Sequence, residues 1–231
     1  MRNDRLAIVT GSGGGIGQAV VAALLDQGWR VLGLDRAAAS TDRPGFETWP
    51  VDLADAEALA SVLPRLPACQ ALVHAAGVLR TAPLGELDPA AGELMWRLHV
   101  AAPSQLADAI VPAMAARGAG RVVLIGSRVA QGMPGRSQYA AVKAALVALA
   151  RSWAAEVAVS GVTINVVSPG ATRTAMLADP GRAGSPPRLP PIGRLIEPAE
   201  VAGLVAYLLS DGAGAITGQE IPICGGSSLA G

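Results

Sequence analysis

Short apolar runs alternate with longer amphipathic segments along the whole chain, the pattern of repeated β-α units that build a parallel sheet. The runs predict strands near Leu6–Val9, Arg30–Leu34, Glu47–Val51, Ala71–His74, Arg121–Ile125, Thr163–Val167 and Glu220–Ile223, each followed by a turn signal or a helix start. Apolar positions at helical spacing predict helices near Ile16–Gln27, Ala54–Leu63, Ala91–Arg117, Gln138–Val159 and Ala199–Leu209. The expected fold class is α/β: one doubly wound parallel sheet of about seven strands with helices on both faces, a single domain over residues 1–231. Between the second and third strands, Arg36 to Phe46 is short and broken by Ser40, Thr41, Pro44 and Gly45, so a loop replaces the helix there. Ala178 to Pro191, interrupted repeatedly by proline and glycine, is a candidate mobile loop over a site.

Composition narrows the function classes. The chain is 51% hydrophobic with a mean hydropathy of +0.41, yet no run of about 18 uninterrupted apolar residues suggests a membrane span. The excess is alanine and valine, which suit a sheet buried on both faces. Eighteen basic and eighteen acidic residues cancel without a basic run, so no partner surface for nucleic acid or anionic lipid is expected. Cys69 and Cys224 form no metal-ligand or C-x-x-C spacing, which predicts neither a disulfide framework nor a metal site. Met1 to Arg5 carries charge but is followed by only four apolar-biased residues before a glycine-rich turn, too few for a signal-peptide core, and the chain reads as a reduced, cytoplasmic protein.

The run Leu6-Ala7-Ile8-Val9-Thr10-Gly11-Ser12-Gly13-Gly14-Gly15-Ile16-Gly17 passes from a buried strand through glycines into a helix. Glycines permit positive φ and close backbone approach, and the free N–H groups at the helix start favour a dinucleotide pyrophosphate. Gly11, Ser12, Gly15, Ile16 and Gly17 are the candidate cofactor contacts, although the spacing differs from the usual G-x-G-x-x-G. Asp35 ends the second strand, where a carboxylate accepts the adenosine-ribose hydroxyls and repels a 2′-phosphate, so NAD(H) is favoured over NADP(H). Arg36 beside it is the counter-signal, since a guanidinium there can hold a phosphate. Asp52, followed by Leu53, either accepts from the adenine amino group or caps a helix beginning at Ala54.

Tyr139 and Lys143, at i and i+4 on an alanine-rich helix, emerge one turn apart on one face. A phenol with a reference pKa of about 10 is a poor base at neutral pH, and a neighbouring ammonium favours its phenolate. Ser127, just after the fifth strand, can hydrogen-bond the reacting oxygen. Alone, Y-x-x-x-K is a common helix-surface pattern. Here it stands in order with Thr10-Gly11-x-x-x-Gly15-x-Gly17, Ala75-Ala76-Gly77, Ser127, Asn165-x-x-Ser168-Pro169-Gly170 and Gly225-Gly226. In this set and order the whole chain resembles the short-chain dehydrogenases and their Rossmann-type fold. The resemblance implies hydride transfer between a carbinol carbon and nicotinamide C4, with Tyr139 as acid/base, Lys143 lowering its pKa and holding the nicotinamide ribose, and Ser127 polarising the substrate oxygen. It also implies cofactor contacts from Ala75, Ala76, Gly77, Pro169, Gly170, Thr172 and Thr174, with Met176 on the substrate side. There are two departures. The family's common Asn-Asn-Ala-Gly is His74-Ala75-Ala76-Gly77 here, and a relay asparagine carried by the helix before the fifth strand is replaced by His99. Imidazole also relays protons, so His99 is either a catalytic relay or a core histidine satisfying a helix distortion.

The absent helix after Asp35, the stretch Ala75-Ala76-Gly77-Val78-Leu79-Arg80, and Asn165 to Gly170 paired with the Gly225-Gly226-Ser227-Ser228-Leu229 tail are similar to the 2,3-dihydro-2,3-dihydroxybenzoate dehydrogenases of siderophore pathways. That likeness implies a small anionic cyclic substrate, this acid or its 2-amino relative 2,3-dihydro-3-hydroxyanthranilate of antibiotic pathways. Oxidation at C3 gives a dienone that tautomerises to an aromatic ring, a direction that suits NAD. The carboxylate calls for a cation, and Arg80, Arg128 and Arg136 lie on loops at the carboxyl ends of strands, at least one of them a solvated surface arginine. A 3-oxoacyl thioester or other carbonyl reductase is the alternative within enzymes, and a non-catalytic NAD-binding sensor or scaffold the alternative outside them. The family resemblance implies a homo-oligomer, a tetramer joined through the helices around Leu94–Arg117 and Gln138–Val159.

Overall fold

The structure, a computed structural model, describes residues 5–37, 42–178 and 188–229. Parts of the N-terminal segment, of the Arg36 to Phe46 link and of the expected mobile loop lie outside the described residues. The sheet comprises β1 (Leu6–Thr10), β2 (Arg30–Asp35), β3 (Phe46–Pro50), β4 (Ala71–His74), β5 (Gly120–Ile125), β6 (Val162–Pro169) and β7 (Glu220–Ile223). All pairings are parallel, in the order β3-β2-β1-β4-β5-β6-β7. The order reverses between β1 and β4, and the crevice at the carboxyl ends of strands beside such a reversal is where open α/β sheets bind ligands.

Both faces of the sheet are covered, which is why its strands read as unbroken apolar runs. Alternation along each strand divides the core in two. Ile8, Leu72 and Leu124 face one cluster with Leu106, Met114 and Leu146, while Ala7, Val9, Val73 and Val123 face the other with Val20, Leu24 and Val205. The helices are α1 (Gly15–Asp26), α2 (Ala56–Val62), α3 (Pro89–Trp96), α4 (Ala102–Ala116), α5 (Ser137–Val157) and α6 (Pro198–Leu208), of which α4 and α5 supply the first set of side chains and α1 and α6 the second. Among the described residues no helix is long and apolar enough to cross a membrane.

Two helices differ from the sequence reading. The start expected at Ala54 falls at Ala56, because the Asp55 side chain accepts the Glu57 and Ala58 N–H groups and is the cap. The single helix expected over Ala91–Arg117 is split into α3 and α4 by a π-turn, Arg97–Ala101. Pro103 lies just beyond it, offering no N–H and crowding the carbonyl of His99 four residues earlier, which disfavours a regular α turn there.

Candidate active site

The glycine turn joins β1 to α1 with a backbone that side chains would obstruct. Gly11 has φ +64°, and a Cβ there would lie 2.7 Å from the Ala76 backbone. A Cβ on Gly17 would overlap the Gly11 carbonyl, and one on Gly15 would sit 2.7 Å from the Thr174 methyl. No acidic residue occupies the first turn of α1, so its N–H groups stay suited to a phosphate. The Asp35 carboxylate, at the end of β2, accepts from Gly13 N at 2.9 Å and Ala37 N at 3.3 Å. The Ser12 hydroxyl beside them is buried without a hydrogen-bond partner among the described residues. A cradle closed to side chains, a carboxylate at its rim and an orphaned hydroxyl fit a dinucleotide. Arg36 is exposed next to Asp35. Asp52 is exposed and takes the Ala54 N–H, while Leu53 packs in the core.

Beyond β4, β5 and β6 the loops enclose a cavity of about 590 Å³. Ile16, Ala75, Ala76 and Gly77 line the side nearest the glycine turn, together with Pro169, Gly170, Thr172 and Thr174, all of them cofactor contacts expected from the sequence. Ser127, Tyr139, Lys143 and His99 lie together on its wall. Tyr139 and Lys143 are buried, 7% and 3% exposed, despite their position on a helix surface pattern. Lys143 Nζ donates to the Ile125 carbonyl at 2.6 Å and lies 5.7 Å from the Tyr139 ring centroid. Burial pushes the Lys143 amine down to about 7, so it exchanges its proton near neutrality. Ser127 is extended, and its Oγ accepts the Val129 N–H at 3.2 Å.

His99 sits on the π-turn and is 1% exposed. Its Nε2 is 2.8 Å from the Val78 carbonyl and 3.2 Å from the Val78 N–H, of which one nitrogen serves one at a time. When the shorter contact is made, Nε2 carries the hydrogen and Nδ1 is a bare acceptor, buried with no hydrogen-bond partner among the described residues. Burial, and then the charge of Lys143, hold this imidazole well below its ordinary range. A Cβ on Gly77 would strike its ring. The two sequence readings of His99 thus meet: it occupies a helix distortion, and it faces the cavity.

The remaining wall combines apolar side chains, Leu79, Val129, Met133, Met176 and Leu177, with three arginines, Arg128, Arg136 and Arg188. No carboxylate is among the described lining residues. Arg136 is buried, 8% exposed, at the start of α5. Arg80 does not reach this wall, and its Nη1 donates to the carbonyl of its neighbour Leu79. Arg188 was not anticipated from the sequence, because it lies in the proline-rich stretch where no periodicity assigns a direction to a side chain.

A family model described as enoyl-(acyl carrier protein) reductase matches residues 11–228. The chain is 36% identical over 238 residues to the 2,3-dihydro-2,3-dihydroxybenzoate dehydrogenase of Escherichia coli (strain K12), covering 96% of each. It is 34% identical over 236 residues to the 3-oxoacyl-[acyl-carrier-protein] reductase of the same organism, again covering 96% of each. A solved short chain dehydrogenase/reductase family protein superposes with a TM-score of 0.91 at 33% identity, covering 99% of this chain and 100% of that one.

Proposed function

The chain belongs to the short-chain dehydrogenase/reductase family, oxidoreductases acting on CH–OH groups with a nicotinamide dinucleotide, and from that premise we propose that it uses NAD⁺ to oxidise a ring alcohol of a small dihydro-aromatic carboxylate. The observation that carries the substrate class is the cavity wall, where three arginines stand among apolar side chains beside Tyr139. An apolar slot with a few placed cations suits a flat ring bearing one carboxylate. The 36% identity to a dehydrogenase of such an acid supports the same class.

In this reading Ser127 and Tyr139 hold the substrate hydroxyl, and Tyr139 takes its proton. A nicotinamide nucleotide held at the glycine turn would supply the acceptor for the hydride of the carbinol carbon. Lys143 stabilises the phenolate by its charge, and with its amine titrating at about 7 it passes protons at working pH. His99, its imidazole kept neutral and its Nδ1 open, accepts a hydrogen bond from a group on the path by which the proton leaves, and does not itself take the proton up. Asp35 selects NAD⁺ by accepting from the ribose and repelling a 2′-phosphate. A second reading, reduction of a 3-oxoacyl thioester or related carbonyl, is favoured by the 34% identity to a reductase of that kind and uses the same Ser127, Tyr139 and Lys143. Turnover of the two dihydro acids with NAD⁺, compared with that of the thioester, tests the proposal.

A further inference from the structure

His74, the last residue of β4, is fully buried, and both of its ring nitrogens are engaged. Nδ1 lies 2.9 Å from Thr10 Oγ1, and Nε2 lies 3.1 Å from the Leu98 carbonyl. The Thr10 oxygen already accepts from the Ala75 and Ala76 N–H groups, both at 3.1 Å. With those contacts made, its own proton is directed to His74 Nδ1, so Nδ1 is the bare nitrogen and Nε2 carries the hydrogen. The tautomer follows from this counting, and Nε2–H donates to Leu98.

Leu98 needs that donor. In the π-turn the Ala102 N–H closes on the Arg97 carbonyl five residues back. The next bond of that series would run from residue 103 to Leu98, but residue 103 is a proline without an N–H. A carbonyl left without a donor inside the fold would keep its desolvation penalty.

We propose that His74 is a positioning residue of this site: its Nε2–H replaces the main-chain donor that Pro103 withholds from Leu98, and so fixes the π-turn on which His99 meets Tyr139. The two histidines that replace asparagines of the family pattern therefore belong to one network, running from the glycine-turn strand through β4 to the cavity wall. Burial and the charge of Lys143 push the His74 imidazole down to about 3, which keeps this donor neutral through the physiological range. The proposal rests on the reading of His99 as part of the proton path.

The test uses His74→Gln, His74→Asn, His74→Leu and His99→Ala in the full chain. Glutamine places an N–H near the reach of Nε2, whereas asparagine reaches only as far as Nδ1. Expected is a kcat within about threefold of wild type for His74→Gln, and a loss of about tenfold or more for His74→Asn and His74→Leu, with KM for NAD⁺ nearly unchanged in all three. Because the chain has two histidines, nitrogen-15 imidazole spectra resolve each without any substrate. His74 should be protonated at Nε2, and the His99 signals should move in His74→Asn and His74→Leu but stay in place in His74→Gln. A folded His74→Leu with wild-type kcat, beside an impaired His99→Ala, overturns the positioning role and leaves the His99 reading standing. Wild-type kcat in His99→Ala overturns the His99 reading, and unmoved His99 signals in His74→Leu or His74→Asn overturn the role of His74 on their own. If His74→Leu does not fold, equal kcat for the asparagine and glutamine variants overturns it.

Discussion

The His99 imidazole stands edge-on to the Tyr139 ring, with centroids 5.6 Å apart and ring planes at 85°. Its Nε2 is tied to the Val78 backbone and its Nδ1 is left open. Replacing His99 with alanine is therefore expected to lower kcat about tenfold while changing nucleotide affinity little. Steady-state kinetics with nucleotide titration checks this, and unaltered kcat would reduce His99 to packing for the helix distortion.

Tyr139→Phe is expected to abolish turnover while leaving nucleotide binding nearly intact, because the hydroxyl acts on the substrate proton. Lys143→Ala is expected to impair both, since its amine lies 5.7 Å from the Tyr139 ring centroid on the cavity wall and, in the proposed reading, also holds the nicotinamide ribose. Fluorescence titration of nucleotide alongside kcat separates the two effects. Substantial turnover by Tyr139→Phe would remove Tyr139 from the acid/base role.

The position of Asp35 at the rim of the glycine turn leads to a cofactor preference. NAD⁺ is expected to bind about tenfold or more tightly than NADP⁺, and Asp35→Ala should shrink that ratio. Equal affinities in the wild type would promote exposed Arg36 to a phosphate ligand.

Lys143 gives the protein a pH-dependent stability in the nucleotide-free state. Its pKa falls from 10.5 in an ordinary environment to about 7 in the fold, by burial. Between those values the unfolded chain binds the proton and the folded chain does not, so stability rises with pH across that window. The contribution is complete above about 10.5 and is lost as pH falls toward about 7. The Tm of wild type relative to Lys143→Met should accordingly drop as pH is lowered through this range. A constant difference would place the Lys143 amine in a far wetter environment.

The sheet was legible because strands buried on both faces must be apolar throughout, as Ala71 to His74 and Arg121 to Ile125 are apart from their ends. That Tyr139, Lys143 and Ser127 would stand together was legible from helical spacing and from the order of motifs along the chain, and the structure gathers them on one cavity wall. The π-turn was hidden in an amphipathic run whose only local sign is Pro103. His74 drew notice as a departure from a pattern but received no role, because its partners Thr10 and Leu98 are 64 and 24 residues away in the chain. Arg80 and Arg188 show the same limit, since which loop arginine turns toward a cavity is decided by backbone path and not by residue type.

The substrate class is the central claim, and one assay addresses it: purified protein with NAD⁺ and either 2,3-dihydro-2,3-dihydroxybenzoate or 2,3-dihydro-3-hydroxyanthranilate, followed by NADH absorbance. Cyclohexanol with NAD⁺, and a 3-oxoacyl thioester with NADH or NADPH, are the controls. Rapid NADH formation with at least one dihydro acid is expected, little with cyclohexanol, and a fall of about tenfold or more in kcat/KM for Arg136→Ala, as for loss of a charge-assisted contact. Fast turnover of the thioester alone, with neither acid oxidised, would contradict the substrate assignment.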